Sequence, residues 1–267
     1  MKRPQIHWHE GGDGPAVVLI NGLACSGVVW PKTLVRRLEQ RFRVLRPDNR
    51  GSGWSRSALT PFLVEDMADD VAAVLEATGS GSATVLGLSL GGMIAQELAL
   101  RHPARVGRLI LVATRPPAPE HVLGDPLATG LMIAGLAPGE TLRDLFLRQW
   151  ASFTGPGFVD DHPDRLSELV DALLARPTPR ALLRQQLRAA AAWGGARRLA
   201  ALAAPTVVVH GAVDKLSLVR NGMRLAQLIP DAAYVELADV GHAVPYEAPE
   251  RLAELVEQPT YAAYATA

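Results

Sequence analysis

Short apolar runs and longer amphipathic stretches take turns along most of the chain. Residues 16–22 (AVVLING) are apolar, rich in β-formers and ended by a turn signal. Residues 30–41 (WPKTLVRRLEQR) put Leu34, Val35 and Leu38 at helical spacing, with Pro31 near the start. Residues 42–48 read as strand. Residues 64–79 read as an amphipathic helix closed by Gly79. Strand 82–88, helix 90–103 and strand 106–114 follow. From about 116 to 200 the rhythm changes to helical segments punctuated by Pro and Gly, with no convincing strand. It then resumes with strand 205–211, a helix near 217–229, strand 232–239 and a helix near 249–257.

Strand and helix in alternation predict an α/β fold, a mostly parallel doubly wound sheet with helices on both faces. The core is expected to comprise residues 1–115 and 201–267, with 116–200 inserted as a helical cap. Ligands in such sheets bind beyond the carboxyl ends of the strands. The loops that follow the strands are therefore where chemistry should lie.

Composition narrows the partners. The 267 residues carry 27 Lys and Arg against 27 Asp and Glu, so no basic excess draws the chain to nucleic acid or anionic membrane. Cys25 is the only cysteine, which removes an internal disulfide and any CxxC metal motif, and no metal is expected. A reducing, cytoplasmic setting is the simple expectation. The N-terminus lacks the apolar stretch of a secretory signal. No apolar run nears the ~18 residues that would span a bilayer. Oligomeric state leaves no mark in the sequence.

The loop after strand 82–88 reads Gly87-Leu88-Ser89-Leu90-Gly91. A serine between glycines, at a strand-to-helix junction, suits a nucleophile elbow: small flanking residues let strand and helix pass closely while the hydroxyl stands free. A serine needs a base. Of seven histidines, His242 lies on the loop after the last strand, beside Gly241. His7 and His9 belong to an N-terminal strand, and His210 reads as a packing or turn residue. Asp214, after strand 205–211, is the candidate acid that orients the base; capping of helix 217–229 is its alternative role. Developing oxyanion charge would meet the backbone N–H groups of Leu90 and, from the loop after strand 16–22, Leu23.

With these residues in place the chain resembles the α/β-hydrolase superfamily over nearly its whole length. The matching stretches are NGLACSGVVW, RPDNRGSGWS, GLSLGG, GAVD and GHAVPYEAPE, in the family's order. The resemblance implies Ser89 as nucleophile, His242 as base and Asp214 as its partner. It also implies that Asp48 and Arg50 brace the active-site loops. Two departures stand out: Asn21-Gly22 where the family usually has His-Gly, and Leu218 where a proline is common. The serine argues against the aspartate-nucleophile branches. GLSLGG with a cap of about 80 residues is similar to enol-lactonases, small carboxylesterases and the methyl esterases of aromatic polyketides.

In the cap, Leu142, Leu145, Phe146, Gln149, Trp150 and Phe153 share one helical face. This stripe reads mainly as packing between cap and core, while Phe146, Trp150, Phe153 and Met132 are candidates to line an apolar substrate pocket. The expectation is a cofactor-independent serine hydrolase of a hydrophobic carboxylic ester or lactone. The alternatives are a cyclase or lyase, a C–C bond hydrolase, or a small-molecule receptor on the same fold.

Overall fold

The computed structural model describes residues 5–55, 59–258 and 260. Seven strands join in one sheet: β1 (Trp8–Gly11), β2 (Ala16–Ile20), β3 (Arg43–Pro47), β4 (Ala83–Leu88), β5 (Val106–Val112), β6 (Thr206–Gly211) and β7 (Ala233–Leu237). Their order is β1-β3-β2-β4-β5-β6-β7. β1 runs antiparallel to β3 at one edge, and all other pairings are parallel.

The central strands are apolar throughout because both sheet faces are covered. Side chains alternate between the faces. Val18 and Ile20 join one cluster, with Val71 and Leu75 of α2 (Val64–Ala77) and Ile94 and Leu98 of α3 (Leu90–Arg101). Val17 and Leu19 join the other, with Leu34 and Leu38 of α1 (Lys32–Glu39). Each such side chain contributes about 1.5–3 kcal/mol by leaving water.

Five helices lie between β5 and β6: α4 (Pro126–Ile133), α5 (Leu142–Phe153), α6 (Phe158–Asp161), α7 (Pro163–Ala175) and α8 (Arg180–Ala192). α9 (Val219–Leu228), α10 (Val244–Glu247) and α11 (Pro249–Glu257) complete the core. Local signals set the cap helices. Thr141 and Asp144 form a capping box at the start of α5, and the Asp125 carboxylate accepts the Leu127 and Ala128 amides at the start of α4. A third apolar cluster seals cap to core: Leu166, Leu169 and Val170 of α7 meet Cys25, Val29 and Tyr246.

Several elements are shorter than the periodicity predicts. β5 stops at Val112 because Ala113 turns to φ 46°. α1 begins after Pro31, which serves as its N-cap residue.

Candidate active site

Ser89 stands between β4 and α3 with φ 53° and ψ −116°. That backbone region costs a non-glycine residue about 1–3 kcal/mol and persists only where the surroundings enforce it. Here they do. The Ser89 amide donates to Val112 O at 2.9 Å, and Ser89 O accepts from Gly92 N at 2.9 Å and Thr114 Oγ1 at 2.7 Å. A Cβ on Gly91 would lie 2.1 Å from Ile20 O, and one on Gly87 would lie 2.4 Å from Gly91 O. Only glycine lets β4, β2 and α3 approach this closely.

His242 and Asp214 arrive from the loops after β7 and β6. His242 Nδ1 and Asp214 Oδ2 are 2.7 Å apart, both groups buried. A carboxylate only accepts, so Nδ1 carries the proton and Nε2 is left to take one. Asp214 Oδ1 accepts the amides of Leu216 at 2.8 Å and Ser217 at 2.9 Å. Asp214 thus caps its own turn and not helix α9, whose N-cap is Leu218. Burial alone would raise the Asp214 carboxyl, but its contacts with His242 and His210 outweigh it, leaving it well below the usual carboxylate range. Ser89 and His242 line the same cavity. No hydrogen bond joins Ser89 Oγ to His242 in this structure; such contacts often tighten only when substrate closes the site.

The loop after β2 runs beside the serine: a Cβ on Gly22 would lie 3.9 Å from Ser89 Oγ. Asn21 shapes it. The buried Asn21 Nδ2 donates to Ser26 O at 3.1 Å and Val29 O at 2.6 Å, and Oδ1 accepts the Gly22 amide at 2.8 Å. The exchange of His-Gly for Asn-Gly therefore leaves an internally tied turn. Among the described residues, neither the Leu23 nor the Leu90 amide donates a backbone hydrogen bond outside regular elements, so both are available. Asp48 accepts the Gly27 and Trp54 amides at 2.6 and 2.7 Å. Arg50 forks onto Asp70 of α2 at 2.6 and 2.7 Å.

A cavity of about 420 Å³ opens over Ser89 and His242. Leu23, Met132, Phe146, Trp150 and Phe153 line it, and so do the remaining stripe positions Leu142, Leu145 and Gln149. The face of α5 read mainly as a packing surface is thus cavity wall along its length. Leu90 does not line the cavity; its side chain is buried in the core, and only its amide is a candidate contact. A single face serves both ends because Phe146 and Trp150 also pack against the seam cluster.

The α/β hydrolase fold family model matches residues 15–249. The chain belongs to the α/β-hydrolase fold family. It is 33% identical to a Variovorax paradoxus protein with the provisional name carbamate hydrolase RutD, over 88% of this chain and 87% of that one. It is 30% identical to rhodomycin D methylesterase DauP of a Streptomyces species, over 96% and 95%. The enol-lactonase of Burkholderia xenovorans superposes with a TM-score of 0.79 at 26% identity, covering 95% of each chain.

Within this α/β hydrolase, four side chains that the sequence did not single out hold the site's loops. The amide of Ala24, a residue at φ 60°, donates to Gln186 Oε1 of α8 at 2.8 Å. Ala24 O accepts from Thr178 Oγ1 at 2.8 Å. Gln186 Nε2 donates to Arg50 O and Ser52 Oγ at 3.1 and 3.0 Å. The backbone next to Leu23 is therefore fastened by the cap. The His242 loop is fastened likewise: its amide donates to Phe153 O at 2.7 Å, and Glu247 Oε2 accepts from Gly155 at 2.6 Å and Gly241 at 2.9 Å. Burial raises the Glu247 carboxyl despite those amides. His210, wholly buried, places Nε2 2.5 Å from Ser217 O and 3.5 Å from Asp214 Oδ2. Among these, only Glu247 lay inside a quoted family stretch.

Proposed function

We propose that the chain is a serine hydrolase that cleaves a carboxylic ester or lactone through an acyl-serine. Ser89 Oγ would attack the acyl carbon while His242 Nε2 takes its proton. The proton would then pass to the leaving alkoxide. Water, activated by the same nitrogen, would release the acid and restore Ser89. The Leu23 and Leu90 amides would hold the oxyanion, each contributing about 3 kcal/mol in the transition state. Nothing in this sequence of steps calls on a cofactor.

One observation carries the reading: a strained, exposed-edge serine shares a cavity with a histidine whose far nitrogen is bound to a buried carboxylate. The wall of Met132, Phe146, Trp150 and Phe153 favours a hydrophobic substrate. The methylesterase and enol-lactonase names of two relatives point the same way. Among the described residues no helix is long and apolar enough to cross a membrane.

The test is intact mass after exposure to an active-serine phosphonate, run beside p-nitrophenyl acetate and butyrate assays on wild type and Ser89→Ala. One adduct and ester turnover, both lost in the variant, are expected. Turnover surviving in the variant would overturn the mechanism.

A further inference from the structure

We infer that His7, His9 and Asp48 form a binding site for a divalent transition metal of the zinc class, at the outer edge of the sheet and apart from the cavity.

Strand geometry assembles the donors. β1 pairs with β3 with His9 opposite Arg46. His7 lies immediately before β1 and His9 within it, and their rings stand together, centroids 4.6 Å apart. Asp48 follows β3 directly, and its amide donates to His7 O at 2.9 Å. His7 Nδ1 then lies 3.3 Å from Asp48 Oδ2, and His9 Nε2 lies 3.6 Å from Asp48 Oδ1. All three residues offer donor atoms within 4.8 Å of one another.

Neither contact is a hydrogen bond. His7 Nδ1 and His9 Nε2 are both buried atoms without a hydrogen-bond partner. Orphaned buried polar atoms are few in folded proteins, and a missing ion is one standard reason. Each histidine-to-carboxylate spacing, one to each oxygen of Asp48, agrees with that reason. Zinc bonds to nitrogen and oxygen of about 2.0–2.2 Å set neighbouring tetrahedral ligands about 3.3–3.6 Å apart.

The surroundings match the demands of a metal. Asp48 is fully buried, and each of its oxygens accepts a single amide, from Gly27 or Trp54, which leaves lone pairs toward the histidines. The Trp54 indole packs on both imidazoles at 5.5 and 5.3 Å, fixing the rings as outer supports of metal ligands do. Two imidazoles and one carboxylate with an open fourth position are a zinc-type donor set. None of the three residues lines the cavity, so the ion would tie β1 to the turn after β3 and take no part in acyl transfer.

The experiment uses the untagged full chain, stripped with chelator and titrated with Zn²⁺ by calorimetry, with thermal melting alongside. One Zn²⁺ per chain at micromolar affinity and a zinc-dependent rise in Tm are expected. His7→Gln and His9→Gln should each weaken binding about tenfold or more and erase the Tm rise. No saturable binding in wild type, or equal binding in both variants, would overturn the assignment. Cobalt(II) on wild type gives a check that needs no variant: intense tetrahedral visible bands are expected, and a pale octahedral spectrum would contradict the site.

Discussion

Ser89, Asp214 and His242 stand on loops leaving β4, β6 and β7, whereas the wall opposite them comes from α5 and the segments around α8. The two regions are built on different principles. At the sheet edge, position comes from backbone constraint: a serine at φ 53°, and glycines where a single added carbon would collide with a carbonyl. In the cap, the side chains facing the cavity are mostly apolar, with Gln149, Thr178 and Arg180 as polar exceptions. Yet the cap also reaches the sheet-edge loops through polar contacts, Gln186 and Thr178 on Ala24 and Phe153 O on His242. The core therefore supplies the reactive groups, and the cap fastens two of the loops that present them.

Breaking the core side should cost most. Ser89→Ala is expected to lower turnover on the order of 10⁶-fold, with an unchanged melting temperature. Retained ester turnover with a folded variant would remove the core's claim to the chemistry. Asp214→Asn should lower kcat about 10⁴-fold by releasing the histidine tautomer. It should also change acid stability. The Asp214 carboxyl is depressed in the fold, so its ionised form adds stability above the ordinary value of about 3.9. That contribution drains away as pH falls through the depressed value. The gap in Tm between wild type and variant should therefore narrow below about pH 4, and a gap that widens there would refute the sign.

Breaking the cap's hold should cost less and in a different way. Gln186→Leu frees the Ala24 amide and strands Ser52. A fall in kcat of about tenfold is expected, short of the 10²–10³-fold for losing an oxyanion donor outright. KM should hardly move, and a parallel stability loss of about 1–3 kcal/mol should appear in melts. A rise in KM alone would make Gln186 a pocket residue instead. Thr178→Val removes one hydrogen bond of about 1 kcal/mol, with an expected kcat effect of severalfold in the same direction. Smallest of all, cutting the exposed Arg143–Asp171 pair on the outer cap should change stability by less than about 1 kcal/mol, measurable by denaturant titration.

The same contrast explains what could be read from the chain. Buried parallel strands announce themselves as unbroken apolar runs, so β2, β4, β5 and β6 were plain in outline. The candidate site was legible because its conformations admit few residue types, as at Gly87 and Gly91. The α5 stripe was legible as a face but not as a wall, since packing and pocket lining both ask for apolar residues at helical spacing. Gln186 was invisible for another reason. On helix α8 it has the look of a solvent-facing residue, and its partner Ala24 lies 162 positions away. His210, only four positions from Asp214, reads from the sequence as a packing or turn residue, and only the folded loop shows that it stands 3.5 Å from that carboxylate.

Ala24, pinned on both its amide and its carbonyl, sets a rule for anyone recombining these proteins. A graft that replaces the segments around α8 without keeping a Thr at 178 and a Gln at 186 would import a new substrate outline and leave the turn beside Leu23 untethered. The donor segment has to run through Thr178 and Gln186 for the borrowed specificity to arrive together with its rate.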